Sequence, residues 1–222
     1  MRFILIITLL SFSLLAVDNA IEKKLLEVPK KMSIKTKKNR FYFLVTPKVN
    51  NVHKELTKRY ERISKDIHNK NYTDEIKELK TYFKARTDLE LLQSLKPHPR
   101  SITIAQAAME SAWATSRFFV EANNVFGMWS ANPDEPRIAA SEKRNGKRTI
   151  WLRKFESIED SIREYYNLIA RGKSFREFRE VRYESENPFD IITKLDKYSE
   201  IGDKYAQELM GIIKYNNLTK YD

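Results

Sequence analysis

At 222 residues without a cysteine, the chain suits one domain plus an appendage, and disulfide frameworks and thiol nucleophiles are excluded. Its net charge of +11 is unevenly placed: residues 21–100 hold 21 Lys and Arg against 10 Asp and Glu, while residues 101–222 hold 19 of each. A basic segment of this kind suits an anionic envelope surface or polymer, although a solvated helical face would give the same excess. No nucleic-acid recognition motif accompanies it, so nucleic acid is set aside as a partner.

In chain order, Met1 and Arg2 precede an almost unbroken apolar run, Phe3–Val17, and Asp18 is the first acid. That pattern has signal-peptide length and is short for a membrane span, so export to the periplasm or cell envelope is expected. Ala16 and Ala20 are the candidate cleavage positions, and an uncleaved anchor is the alternative. Lys30–Arg40 is polar and Lys-rich and reads as an extended linker; Phe41–Val45 then forms a short apolar run ending at Pro47. From there Val49, Val52, Leu56, Tyr60, Ile63 and Ile67 recur at helical spacing and predict an amphipathic helix over 48–68. Thr73 caps the next helix, with Ile76, Leu79, Tyr82 and Phe83 on its buried side, and residues 88–95 continue it until Pro97 and Pro99. The division expected is a signal peptide over 1–20, a basic helical extension over 21–99 and a second domain over 100–222.

Ser101–Trp113 is apolar, Ala-rich and carries one carboxylate, Glu110. At 100° per residue, Ile104, Ala107, Ala108, Ser111 and Ala112 share a face small enough for close packing. Gln106, Glu110 and Trp113 fall together on another side. An acid so placed is partly desolvated, which raises a carboxyl pKa and suits a general acid; a Glu pointing into solvent is the competing reading. Beyond it come Asn123, Asn124, Phe126, Gly127 and Trp129, where a special backbone angle at Gly127 and aromatics fit to stack on a sugar ring are expected. Residues 137–155 read as a hairpin around Asn145–Gly146, with Glu142 on the first arm. Ser157 and Asp160 make a capping-box pattern opening a helix with Ile158, Ile162, Tyr165 and Ile169 on one face, closed by Gly172. Residues 173–197 predict a short helix or two with a loop around Pro188, and a final helix runs through Leu209, Ile212 and Ile213.

Several chemistries are set aside. The three histidines show no metal-ligand spacing, and no Gly-x-Ser-x-Gly elbow or phosphate-binding glycine loop occurs, so neither a metal nor another cofactor is expected. Carboxylates with aromatics remain, the groups that glycoside cleavage uses.

Ile104 to Trp113, Asn123 to Gly127, the Glu142 hairpin, Tyr165 and the run Tyr198, Tyr205, Ala206 together resemble the glucosaminidase family, glycoside hydrolase family 73. That family also supplies the muramidase-like domain of the flagellar rod-cap protein. The best match is its Bax-type branch, because Lys38–Val45, Pro47 and the basic helix after it resemble that branch's N-terminal extension. The resemblance implies a mainly α, α+β lysozyme-like fold with a small β-hairpin lobe. It implies Glu110 as catalytic acid, Glu142 as the second acid, with Glu135 as the alternative position, and Tyr198 as a tyrosine supporting the site. Gln106, Trp113, Asn124, Phe126, Trp129 and Tyr165 are then the expected substrate-binding residues. In one position the chain departs from the family pattern: Ala114 stands where a Gly is usual. The implied substrate is peptidoglycan, cut after N-acetylglucosamine; separately, the chain is expected to be a monomer. A lytic transglycosylase using Glu110 alone and a non-catalytic wall-binding module are the other two classes.

Overall fold

Val49, Val52, Leu56 and Ile63 do lie on one buried helical stripe, but the helix they belong to, α1, begins at Ile34 and runs to His68. The computed structural model describes residue 21 and residues 24–140 and 149–222. The signal-like segment 1–20, the Asn145–Gly146 turn and Glu142 lie outside the described residues. Where a linker and a separate apolar run were expected, residues 34–47 are therefore helical. Ser33 caps the helix by accepting from the Thr36 N–H at 3.0 Å, and Phe41, Leu44 and Val45 extend the buried stripe by another turn. Pro47 removes one intrahelical donor, yet α1 passes through it, with Phe41, Leu44 and Val45 buried before it and Val49, Val52 and Leu56 buried after it. The buried Arg40 guanidinium donates to the Leu25, Leu26 and Ala114 carbonyls. The Lys38 ammonium reaches Asn216 Oδ1 at 2.6 Å and lies over the Trp113 and Tyr215 rings. Lysine-rich composition hid this because long cationic side chains lie along apolar surface with only the head in water.

Thr73 caps α2 (Asp74–Phe83) as expected. The continuation through 88–95 is broken instead: Lys84 turns left-handed at φ 56°, and Thr87 caps a separate α3 (Asp88–Leu95). Ile63, Ile76, Phe83, Leu91 and Leu95 close a small apolar cluster between α1, α2 and α3.

The main core is built around α4 (Arg100–Glu110), every residue of which from Ser101 to Ala108 is buried. Its small residues let α1, α9 (Asp203–Tyr215) and a 3₁₀ turn at Leu218–Tyr221 approach closely. No side chain caps its first turn from within. The Asp222 carboxylate does so from far along the chain, accepting from Ser101 N at 2.8 Å and from Ser101 Oγ at 2.6 Å.

After α5 (Arg117–Ala122), a two-stranded lobe pairs β1 (Arg137–Ala139) with β2 (Trp151–Arg153) antiparallel, Ile138 opposite Leu152. The hairpin arms thus form where the sequence placed them. The Ser157 capping box opens α6 (Ile158–Arg171): Ser157 Oγ accepts from Asp160 N at 3.1 Å, and Gly172 ends the helix. A 3₁₀ turn (Lys173–Phe175) leads to α7 (Arg176–Glu184). Pro188 does not sit in a loop but at the start of α8 (Pro188–Ile192), where its missing N–H costs nothing. The architecture is α+β, mainly helical, with one small hairpin lobe.

Candidate active site

Glu110 is the last residue of α4, and the chain leaves it through an unusual turn. Ala112, Trp113 and Ala114 all take left-handed angles, φ 51°, 62° and 62°. Each such non-glycine residue costs about 1–2 kcal/mol, so tertiary bonds must hold the turn. Ser111 Oγ supplies two of them, donating to Ala107 O at 2.5 Å and accepting from Ala114 N at 2.8 Å. Trp113 N reaches back to Ala108 O at 2.7 Å. Ala114, standing where the family pattern has Gly, therefore occupies a position whose backbone angle explains that preference.

The turn also corrects one expectation. Helical spacing would put Trp113 beside Gln106 and Glu110; the chain reversal sends it instead onto α1, its ring 5.3 Å from Phe41 and 6.0 Å from Tyr42. Ala112 likewise leaves the small-residue face and is exposed, whereas Ile104, Ala107, Ala108 and Ser111 are buried as expected.

Glu110 itself is only partly exposed. Its Oε1 accepts from the Tyr205 hydroxyl at 2.8 Å. Burial pushes the carboxyl pKa above its ordinary value, and the Tyr205 hydrogen bond opposes this in part. Behind it, Gln106 Nε2 donates to Tyr205 Oη at 2.9 Å, and Tyr165 donates to Gln106 Oε1. Gln106 and Tyr165 are completely buried, so they support the acid from behind and present no surface to a sugar.

Asn124 is buried with all its amide bonds made: it donates to Met128 O and Arg153 O and accepts from Met128 N, each at 2.9 Å. It fixes the Gly127 loop, where Gly127 takes φ 64°, to the β lobe. Phe126 stacks on Tyr165 at 4.1 Å and is buried too. Of the expected substrate-binding aromatics, Trp129 alone shows a broad open face, at 71% exposure, held at its backbone by a bridge to Leu152.

Tyr198 stacks on Tyr205 at 5.3 Å, and burial followed by the charge of Glu110 drives its hydroxyl pKa up. The hydroxyl bonded to Glu110, however, is that of Tyr205. The sequence pattern Tyr198, Tyr205, Ala206 contained it, but nothing in spacing says which tyrosine points at the acid. Glu135 precedes β1, its carboxylate 3.1 Å from Arg153 Nε, and Arg153 Nη1 also bonds Glu164 at 2.9 Å. Among the described residues, no group of three His, Asp or Glu is placed to hold a metal ion.

Two histidines behind the site carry a pH signature. Burial, then the Arg182 charge, holds His98 well below 6.5; burial, then Arg100, lowers His53 to about 4. Both bind protons near 6.5 when unfolded, so below that pH the unfolded chain binds more protons than the folded one. Their contribution is complete above about pH 6.5 and is lost as pH falls from there toward 4. The melting temperature is expected to drop on acidification before carboxylates titrate, and His53→Gln should flatten part of that slope. A wild-type melting temperature that does not change between about pH 7 and 5 would contradict this.

The family model of glucosaminidases, described as mannosyl-glycoprotein endo-beta-N-acetylglucosaminidase, matches residues 86–218. The chain belongs to the glucosaminidase family, glycoside hydrolase family 73. It is 30% identical over 168 residues to the exo-glucosaminidase LytG of Bacillus subtilis (strain 168), an alignment covering 72% of this chain. The chain spans 59% of the length of that relative. Two solved structures are also similar to this chain. The catalytic domain of the autolysin Auto from Listeria monocytogenes is 24% identical, with 65% of this chain and 87% of that one covered and a TM-score of 0.48. A truncated glycoside hydrolase domain of FlgJ from Salmonella typhimurium is 22% identical, with 63% and 97% covered and a TM-score of 0.43. In this glucosaminidase-family chain the matched range contains Glu110, Tyr165, Tyr198 and Tyr205. It leaves out α1, although Phe41, Leu44, Val49 and Val52 belong to the same apolar core as Ile104 and Ala108.

Proposed function

We propose that this chain is an exported peptidoglycan hydrolase that cleaves β-1,4 glycosidic bonds after N-acetylglucosamine, with Glu110 as general acid. One observation carries the reading: a partly desolvated carboxyl, its pKa raised by burial, has one oxygen held by a tyrosine hydroxyl. Burial favours the protonated form of the acid, and the exposed Trp129 offers a face for a sugar ring. The protonated Glu110 donates to the leaving glycosidic oxygen as the C–O bond breaks and positive charge develops on the sugar. Water then completes hydrolysis, activated by a second group.

Glu142 is the proposed second group, with the substrate's own acetamido oxygen able to stabilise the charged centre directly. Glu142→Gln is therefore expected to lower turnover by less than Glu110→Gln does. Full activity there, with loss in Glu135→Gln, would move the second group to Glu135. The apolar run Phe3–Val17 supports export, and the exposed Lys54 and Lys58 on α1 support attraction to an anionic envelope. Digestion of purified peptidoglycan by the protein spanning residues 21–222, with product masses, tests the reaction. A reducing-end product one water heavier than the anhydro sugar is expected; the anhydro product would reassign the chain as a transglycosylase, and no release would end the enzymatic reading.

A further inference from the structure

Glu110 is one end of a hydrogen-bonded series that runs inward through four more residues. Tyr205 donates to Glu110 Oε1 at 2.8 Å, Gln106 Nε2 donates to Tyr205 Oη at 2.9 Å, and Tyr165 donates to Gln106 Oε1. Tyr165 Oη then lies 3.1 Å from His98 Nε2. We propose that His98 is a positioning residue for the cleavage reaction: as the Nε2–H tautomer it fixes the sense of this relay, which leaves the transferable proton of Glu110 on Oε2. The proposal rests on the reading of Glu110 as general acid.

Proton counting gives the tautomer. A phenol has one hydrogen to donate. Tyr205 uses its hydrogen on Glu110, so its oxygen accepts from Gln106. The carbonyl end of that amide therefore faces Tyr165, which uses its own hydrogen there. Tyr165 Oη can then only accept from His98, so Nε2 carries the hydrogen. Thr103 Oγ1, 2.9 Å from the same nitrogen, shares it and continues to Tyr166 Oη at 2.8 Å. Nδ1 is left as a bare acceptor, and it is the buried ring atom with no partner. The other tautomer would bury an unpaired N–H and set two lone pairs against each other at Tyr165.

The direction matters at the far end. With a bare Nε2 the Tyr165 hydrogen would turn to His98, and with no donor there at all the Tyr165 hydroxyl would lose the bond that fixes its aim; in either case the Gln106 amide would be free to rotate. Its carbonyl would then take the Tyr205 hydrogen away from Glu110. With the relay intact, Oε1 is occupied as an acceptor, so an added proton goes to Oε2. The charged and titratable groups around His98 are Arg182 on α7, His53 on α1, and Tyr165 and Tyr166 on α6. Around Glu110 they are Tyr205 on α9, Tyr198 before it, and Tyr165.

The test is kcat and KM against pH on peptidoglycan for wild type, His98→Leu, His98→Gln, Tyr165→Phe and Glu110→Gln, with the His98 ring nitrogens followed by NMR in wild type. His98→Leu is expected to lower kcat roughly five- to tenfold, the loss of one hydrogen bond's bias, with KM unchanged. Its alkaline limb should move to higher pH, because Glu110 loses the donor that favours its carboxylate. His98→Gln places an amide N–H where Nε2–H stood and should restore both. Tyr165→Phe should behave like His98→Leu, and it decides the matter if the latter does not fold. NMR should show the Nε2–H tautomer. An Nδ1–H tautomer, an unmoved limb with wild-type kcat, or equal losses in His98→Leu and His98→Gln would each overturn the proposal. An active Glu110→Gln would instead remove the general acid itself. An inactive Glu110→Gln beside a wild-type-like His98→Leu would remove the relay alone.

Discussion

Glu110→Gln is expected to lose roughly 10²-fold or more of peptidoglycan turnover while keeping the fold. The amide has the shape of the carboxyl and can still accept from Tyr205 at the same place. What it lacks is a hydrogen that can leave to the glycosidic oxygen. Because burial opposes ionisation of the carboxyl, replacing it with a neutral amide should leave thermal stability unchanged or higher near neutral pH. Soluble glycan release and a circular dichroism melt check the two halves separately. A folded variant with wild-type turnover would take the acid's role away from Glu110.

The second large effect is on stability. Phe41→Ala should cost about 3–5 kcal/mol, since the ring is fully buried, packs edge-on against Trp113 at 5.3 Å and belongs to the main core. That is a large part of the roughly 5–15 kcal/mol by which a folded domain typically exceeds its unfolded state. Ile34, on the same helix but 76% exposed, gives the contrast: Ile34→Ala should stay within about 0.5 kcal/mol. Urea denaturation of both variants measures this. If the two substitutions cost the same, α1 does not share the core of the site.

The small residues of α4 around a lone carboxylate are a short local pattern, but that pattern alone leaves a solvent-facing Glu110 open; its choice as candidate acid rests on the ordered set of motifs that resembles the family. The caps at Thr73 and Ser157 were legible locally, since each is a contact over three residues. What escaped was set by distant partners. The start of α1 at Ile34 depends on Arg40 and Lys38 meeting carbonyls and rings far along the chain. Periodicity extended the Glu110 face to Trp113, and the left-handed run at Ala112–Ala114 defeated it, because no glycine marked the reversal. The choice of Tyr205 over Tyr198 as the donor to Glu110 is likewise a matter of tertiary placement.

The two ends of α4 are fastened by residues far downstream: Ser101 bonds Asp222 across 121 residues and Glu110 accepts from Tyr205 across 95. Contacts so distant in sequence form late, because the loop they close must first lose its freedom. A ribosome releases Glu110 well before it releases its hydroxyl partner. During that interval the chain carries the carboxyl without the group that orients it and without the cap on its helix. Both fastenings of α4 therefore wait on α9 and the residues after it.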